Sequence, residues 1–445
     1  MINAGSTAWV LVSAALVMLM TPGLALFYGG LVRSKSVLNM MMMNFVCLGV
    51  VGVLWVLFGY SLVFGEDIGG GLLGGLGHAG MRDATALVGP ESDRIPLQAF
   101  SMFQLMFAVI TAALLAGAVA DRAKFWSWVA FTVLWVSVVY FPLAHWVFSF
   151  DGYAAEHGGW IANKLKALDF AGGTVVEINS GFSALALALV LGKRRGFPKE
   201  PMRPHNMPNV LLGAGLLWFG WFGFNAGSAL SVGALAANAF TTTMTASAAS
   251  LLTWLLYEQI DDGRPTTLGA ASGAIAGLVA ITPACGYVDT FGALVIGGVA
   301  GVVCALAIKL KYRLGYDDSL DVLALHGVGG LTGTILIGLF ASKAVNSAGA
   351  DGLLYGGGPG QLGRQVVAAL VAIVYAFGMT FLLAWLIRAT IGFRVSPEVE
   401  VSGIDEAEHA ESAYDLSLLG SSGRAGVGTL TSGSHTTGST AREDS

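Results

Sequence analysis

Charge is scarce in this chain: 23 Lys and Arg with 28 Asp and Glu make up 11% of 445 residues, where a soluble domain carries about 25%. With 55% hydrophobic residues, the polar complement is too small to cover a soluble fold. Cysteine is scarcer still. Cys47, Cys285 and Cys304 form an odd set within or beside apolar stretches, which excludes a disulfide framework and a Cys-spaced metal site and reads as packing. The net charge of −5 is modest, so no nucleic-acid partner is expected. No basic segment precedes the first apolar stretch, which therefore reads as a retained helix rather than a cleaved signal.

What is present is apolar sequence in long runs. Eleven stretches recur, at 7–31, 41–64, 98–120, 125–148, 172–191, 208–230, 234–257, 267–282, 290–308, 320–340 and 365–391. Each is long enough to span or nearly span a bilayer at about 1.5 Å per residue. The expected fold is an all-α polytopic membrane protein with eleven transmembrane helices. Arg33, Lys35, Arg122, Lys124, Lys193, Arg194, Arg195, Lys309, Lys311, Arg313, Arg388 and Arg394 crowd one side. The positive-inside rule then puts the N-terminus outside and the C-terminus in the cytoplasm.

Residues 1–394 read as one membrane domain. Residues 395–414 are polar and acidic, and 415–445 form a Gly/Ser/Thr-rich tail expected to be disordered. Frequent glycines in the spans, such as Gly213, Gly220 and Gly223, fit close helix approach in lipid. Asp169 and Glu177 precede Gly181 much as Asp321 and His326 precede Gly330. That recurrence is either coincidence or the mark of two inverted five-helix repeats followed by a final helix, a plan that sets the site at the repeat interface.

Ionisable groups at membrane depth cost about 2.5–3.5 kcal/mol on insertion scales and usually mark a pathway. Glu177 in the fifth helix and His326 in the tenth are two such groups, and they are read together as one site. Asp169 sits where an Asp caps a helix and complements its positive end. Phe103, Phe107, Trp221, Phe222, Phe224 and Ser228 combine aromatic faces with a hydroxyl. Such a set is either ordinary packing or a small-cation site, in which rings attract the ion and Ser228 accepts one N–H bond.

Five motifs in order resemble the ammonium transporter (Amt/Mep/Rh) family, bacterial Amt-like: P-G-L-A-L-F-Y-G-G from Pro22, D-F-A-G-G-T-V-V from Asp169, G-W-F-G-F-N-A-G-S from Gly220, G-A-I-A-G-L-V-A-I-T-P-A-C-G from Gly273 and H-G-V-G-G from His326. The resemblance implies ammonium/ammonia transport across the cytoplasmic membrane by a homotrimer in the lipid bilayer, with one pore per protomer. It implies an outer substrate site at Phe107, Phe148, Ser228 and Asp169, a gate of stacked rings at Phe107 and Phe224, and a pore with Glu177, His326 and Thr282. Phe148 matches the position where the family usually has Trp, with Trp146 and Trp160 as neighbouring substitutes. Glu177 departs from the family's usual twin histidines, so the pair must settle between an ion pair and a neutral pair sharing one proton. The stretch from Gly403 to Tyr414 resembles the family's regulatory segment, which contacts neighbouring protomers and implies a PII-type partner at the cytoplasmic face. No cofactor or metal is implied. The alternative reading is an ammonium sensor signalling through the tail; an enzyme is not expected, because no nucleophile or metal-ligand motif accompanies the buried acids.

Overall fold

A computed structural model describes residues 1–414, Ala84 and Pro201 excepted, so the tail expectation for 415–445 lies outside the described residues. Eleven long helical segments follow one another: α1 (Ala4–Leu31), α2 (Val37–Phe64), α3 (Leu97–Val119), α4 (Phe125–Phe148), α5 (Gly173–Leu191), α6 (Met207–Gly227), α7 (Ala234–Asp261), α8 (Thr267–Ile281), α9 (Thr290–Leu314), α10 (Leu323–Phe340) and α11 (Gly360–Thr390). Helices satisfy every backbone polar group internally, which lipid demands. Nine of these described helices are long and apolar enough to cross a membrane. The other two are α7 and α8, and α8 has only 15 residues. In α7 a Thr/Ser run lowers the apolarity, yet Thr241, Thr243 and Thr245 donate their hydroxyls to carbonyls of their own helix.

Small residues let the backbones meet. A Cβ at Gly220 of α6 would sit 2.7 Å from the Leu16 carbonyl oxygen of α1, and one at Gly223 would sit 2.9 Å from that of Ser13. Only glycine fits that contact. On α5 and α10, Gly181 lies against the Gly327 backbone and Gly330 against the Glu177 Cβ. This draws the two helices together where Glu177 and His326 stand.

Both α5 and α10 open with a widened π-type turn, over Gly173–Ile178 and Leu323–Val328. The residue before each has a positive φ or stands beside one that does: Gly172 at +125° and Asp321 at +62°. Each lead-in strand is tied to the end of another helix. Phe170 N–H donates to the Pro283 carbonyl after α8, and Leu320 N–H donates to the Gly117 carbonyl at the end of α3. Asp169 and Asp318 occupy matching places, each eight residues before the buried ionisable group. The sequence reading had paired Asp169 with Asp321; by offset, Asp321 instead matches Gly172.

Two short helices follow the last span, α12 (Pro397–Ser402) and α13 (Ile404–His409). The second docks on its own chain by capping distant helices. Asp405 accepts from the backbone N–H of Leu38 and Asn39 at 3.0 and 2.8 Å, and Glu408 accepts from Phe125 N–H at 3.0 Å. Large apolar side chains such as Val53, Phe219, Leu252, Leu294 and Val374 remain exposed around the outside, as a lipid-facing surface requires.

Candidate functional site

Glu177 and His326 meet in the middle of the helix bundle, with one Glu177 carboxylate oxygen 2.7 Å from His326 Nδ1. Glu177 is fully buried and His326 is 4% exposed. The second Glu177 oxygen, Oε1, is buried without a hydrogen-bond partner. A buried polar atom left unpaired costs about 1–3 kcal/mol, more if charged. One proton between the two groups is the minimum that makes this contact a hydrogen bond, and it can reside on either.

The pair faces a void lined by Leu24, Phe27, Tyr28, Val176, Leu217, Trp221, Phe224 and Leu325 among others. The free space is about 10 Å³, at the lower limit of what one water needs, roughly 10–15 Å³. Its walls are almost all hydrocarbon. The Tyr28 hydroxyl donates to the Leu114 carbonyl at 3.0 Å and the Trp221 indole N–H donates to Thr282 Oγ1 at 2.8 Å. Both polar tips are therefore engaged by protein.

Above the void, Phe107 of α3 and Phe224 of α6 lie against each other, ring centroids 4.2 Å apart at 32°. Phe103 meets Phe107 edge-on at 4.9 Å, and Phe148 meets it edge-on at 6.4 Å. Beyond the rings opens a vestibule of about 680 Å³ lined by Phe107, Phe148, Asp169 and Ser228 together with Phe100, Gln104, Tyr153 and Phe170. Ser228 sits just past the end of α6 and donates its hydroxyl to the Phe224 carbonyl at 2.8 Å. Its oxygen lone pairs remain available to a donor in the vestibule.

Asp169 accepts four bonds: from the backbone N–H of Gly172, Gly173 and Thr174, each at 2.7 Å, and from the Thr174 hydroxyl at 2.5 Å. The carboxylate is saturated by the start of α5, so its influence on the vestibule is through its field. On the far side of the void a cavity of about 340 Å³ is lined by Phe27, Leu31, Leu325, Arg194, Lys311 and Asp321 among others. Phe27 and Leu325 border both spaces. Three spaces thus lie in series, separated by Phe107 and Phe224 at one end and by Phe27 and Leu325 at the other.

Of the residues singled out in the sequence, Phe107, Phe148, Asp169 and Ser228 share the vestibule, while Phe224, Glu177 and His326 share the void. Thr282 lines none of these three cavities; it reaches the void only through its bond to Trp221. Trp146 and Trp160 are not vestibule residues. Trp146 donates to the Leu72 carbonyl at 2.8 Å and packs on Tyr375 and Trp160 at 4.6 and 6.1 Å, which leaves Phe148 as the aromatic at that place. Sequence reading missed Phe27, Tyr28 and Gln104. The first two stand in the middle of the P-G-L-A-L-F-Y-G-G motif, which was the available signal.

A model of the Ammonium Transporter Family matches residues 8–414. The chain is 57% identical to an ammonium transporter of Mycobacterium tuberculosis, over 94% of this chain and 92% of that one. It is 48% identical to an ammonium transporter of Bacillus subtilis, over 93% and 99% of the two chains. Among solved structures, it is similar to the crystal structure of Saccharomyces cerevisiae Mep2, with a TM-score of 0.81 and 36% identity over 89% of this chain and 91% of that one. A structure described as a sensor Amt protein aligns with a TM-score of 0.83 and 29% identity, covering 91% of this chain and 98% of the other.

Proposed function

This chain is a multi-pass membrane protein of the ammonium transporter family, and from that premise we propose that it takes up ammonium by separating it into ammonia and a proton at the vestibule and carrying both inward. The observation that carries the reading is the buried Glu177–His326 pair beside a hydrocarbon void too small for a water file. Ammonium and potassium ions are close in size, so selection must use hydrogen-bond donation and cation–π attraction. In the vestibule, Ser228 Oγ accepts an N–H bond while Phe107 and Phe148 contribute about 0.5–2 kcal/mol per ring face. The Asp169 carboxylate favours the cation through its field.

Past the rings, the void offers almost no hydration, and a charged group at such depth is costly. The neutral molecule therefore passes Phe107 and Phe224. Glu177 and His326 relay the proton, either group able to hold it, so that each cycle moves one charge inward.

The same reading takes all eleven helical segments as crossings, in two inverted five-helix repeats and a final helix, with the N-terminus outside. The matched lead-ins of α5 and α10 support it. A homotrimer and a PII-type partner at the cytoplasmic face complete the proposal, on the strength of the family alone. The sensor alternative has less support, because α12 and α13 are the only elements after the last span among the described residues and each has only six residues. Relatives named as transporters point away from an enzyme.

The test is a reconstituted protein in sealed vesicles, with current and internal pH recorded together. An ammonium pulse should give inward current and a potassium pulse none. Internal alkalinisation without current would replace the relay with passage of ammonia alone, and silence in both channels would end the transport reading.

A further inference from the structure

Resting on the transport reading, we infer that Thr282 is a positioning residue: its hydroxyl holds the Trp221 indole, which sets the inner ring of the gate and keeps a hydrogen-bond donor from the passing molecule. The Thr282 side chain touches none of the three spaces along the path, yet both of its hydrogen-bonding capacities are used. Its hydroxyl donates to the Leu278 carbonyl at 2.8 Å and accepts from Trp221 Nε1 at 2.8 Å. The proton on the oxygen is thereby directed away from the indole, and the lone pair toward it.

Trp221 is 3% exposed and forms part of the void wall with Phe224, Glu177 and His326. It stands three residues before Phe224 on α6, on the same helix face, and the two rings lie 5.5 Å apart at 42°. Phe224 in turn stacks on Phe107 at 4.2 Å. A ring with one fixed polar end cannot rotate freely, so the indole is a fixed wall for Phe224. Thr282 itself is rigid, because it begins the turn after α8 and its backbone N–H bonds back to Leu278 and Val279, while the next residue's carbonyl accepts from Phe170 N–H. The chain of contacts therefore runs from the α8 turn through Thr282 and Trp221 to the gate.

There is a chemical consequence as well. Ammonia carries one lone pair and accepts readily. An indole N–H without a partner beside the void would bind that lone pair and retain the molecule short of His326. With Thr282 in place, the indole donor is occupied, and the accepting end of ammonia finds the Glu177–His326 pair instead.

The experiment is a double-substitution cycle on reconstituted protein, reading maximal current and half-saturating ammonium concentration separately. Thr282→Val keeps the shape and removes the hydroxyl, and it should lower the maximal current about tenfold while the half-saturating concentration changes less than twofold. Thr282→Ser should restore the current. Trp221→Phe should reproduce the loss, and adding Thr282→Val to it should change nothing further, since the partner is already gone. Additive losses, an unaltered Thr282→Val current, or a serine variant as poor as valine would overturn the assignment. Native current in the same vesicles tests transport itself. Whether or not that current appears, a structure of Thr282→Val should show Trp221 and Phe224 displaced from their 5.5 Å contact, and an unchanged pair of rings would refute the coupling. If valine is not tolerated, Thr282→Ala takes its place in the cycle, with the same outcomes expected and the same ones overturning the assignment.

Discussion

The lead-ins to α5 and α10 are built on one plan but finished differently. Each begins with an aspartate eight residues before a buried ionisable group, bonds its backbone to the end of another helix, and opens into a widened turn. Asp169 then accepts four hydrogen bonds. Asp318 accepts one side-chain bond, from Leu323 N–H at 2.7 Å, and keeps its Oδ1 buried without a partner. Around Asp318 lie Lys311, whose ammonium meets Asp321 at 2.5 Å, and a buried knot in which Arg194 clasps Asp317 at 2.8 and 3.0 Å. Burial and the nearby Asp321 push the Asp318 carboxyl up to about 6. The vestibule end is thus locked by a saturated carboxylate, whereas the tail-side end holds one whose charge is costly. Identical scaffolding can carry a rigid part and a titratable part.

The largest effect should come from removing the saturated cap. Asp169→Ala leaves three buried N–H groups and a hydroxyl without an acceptor, at about 1–3 kcal/mol each, so a loss of at least 3 kcal/mol in stability is expected from unfolding of the purified protein. Asp318→Ala should cost no more than about 1 kcal/mol in the same assay. Equal losses would break the comparison. Next in size is the proposed gate: Phe224→Ala removes a buried ring, at roughly 3–5 kcal/mol, and should open the void to the vestibule. A potassium pulse that is silent in the native protein should then give a current.

The titratable end makes a prediction of opposite sign from the usual carboxylate. Because the folded-state value of Asp318 lies above 3.8, its contribution is fully present below about pH 4 and is lost as pH rises through about 6. Asp318→Asn keeps an acceptor for Leu323 and cannot ionise. The variant should match the native protein near pH 4 and exceed it near pH 7, by up to roughly 3 kcal/mol. A pH-independent difference would contradict the assignment. The smallest effect concerns a third carboxylate cap, supplied from far along the chain. Asp405→Ala should cost about 0.5–2 kcal/mol and speed hydrogen exchange at the Leu38 and Asn39 amides, leaving those of Gly172 and Gly173 unchanged.

Much of this arrangement is legible in the sequence where chemistry stands out against hydrocarbon. Glu177 and His326 are conspicuous because ionisable groups rarely enter apolar spans, and Phe224 and Ser228 stand in a motif with a family meaning. Phe27 and Tyr28 escape notice, since an aromatic in an apolar helix looks the same whether it packs or lines a path. Thr282 was placed in the pore by its motif, and its side chain turns instead to an indole 61 positions away. Asp405 and Glu408 lie in the acidic stretch that resembles a regulatory segment, and nothing in it names their partners; the backbone groups they cap are 366 and 283 positions distant, a separation no local pattern encodes. α7 is expected as a span from its apolar residues, and it falls outside the nine described helices apolar enough to cross a membrane because of its Thr/Ser run.

The most direct test of the account is the ammonium-pulse current of Glu177→Leu beside the native protein in sealed vesicles, with the amount of inserted protein matched. If the buried pair relays the proton, the variant gives no current although ammonia still enters and raises the internal pH. A current equal to the native one would contradict the relay and leave Glu177 and His326 as lining.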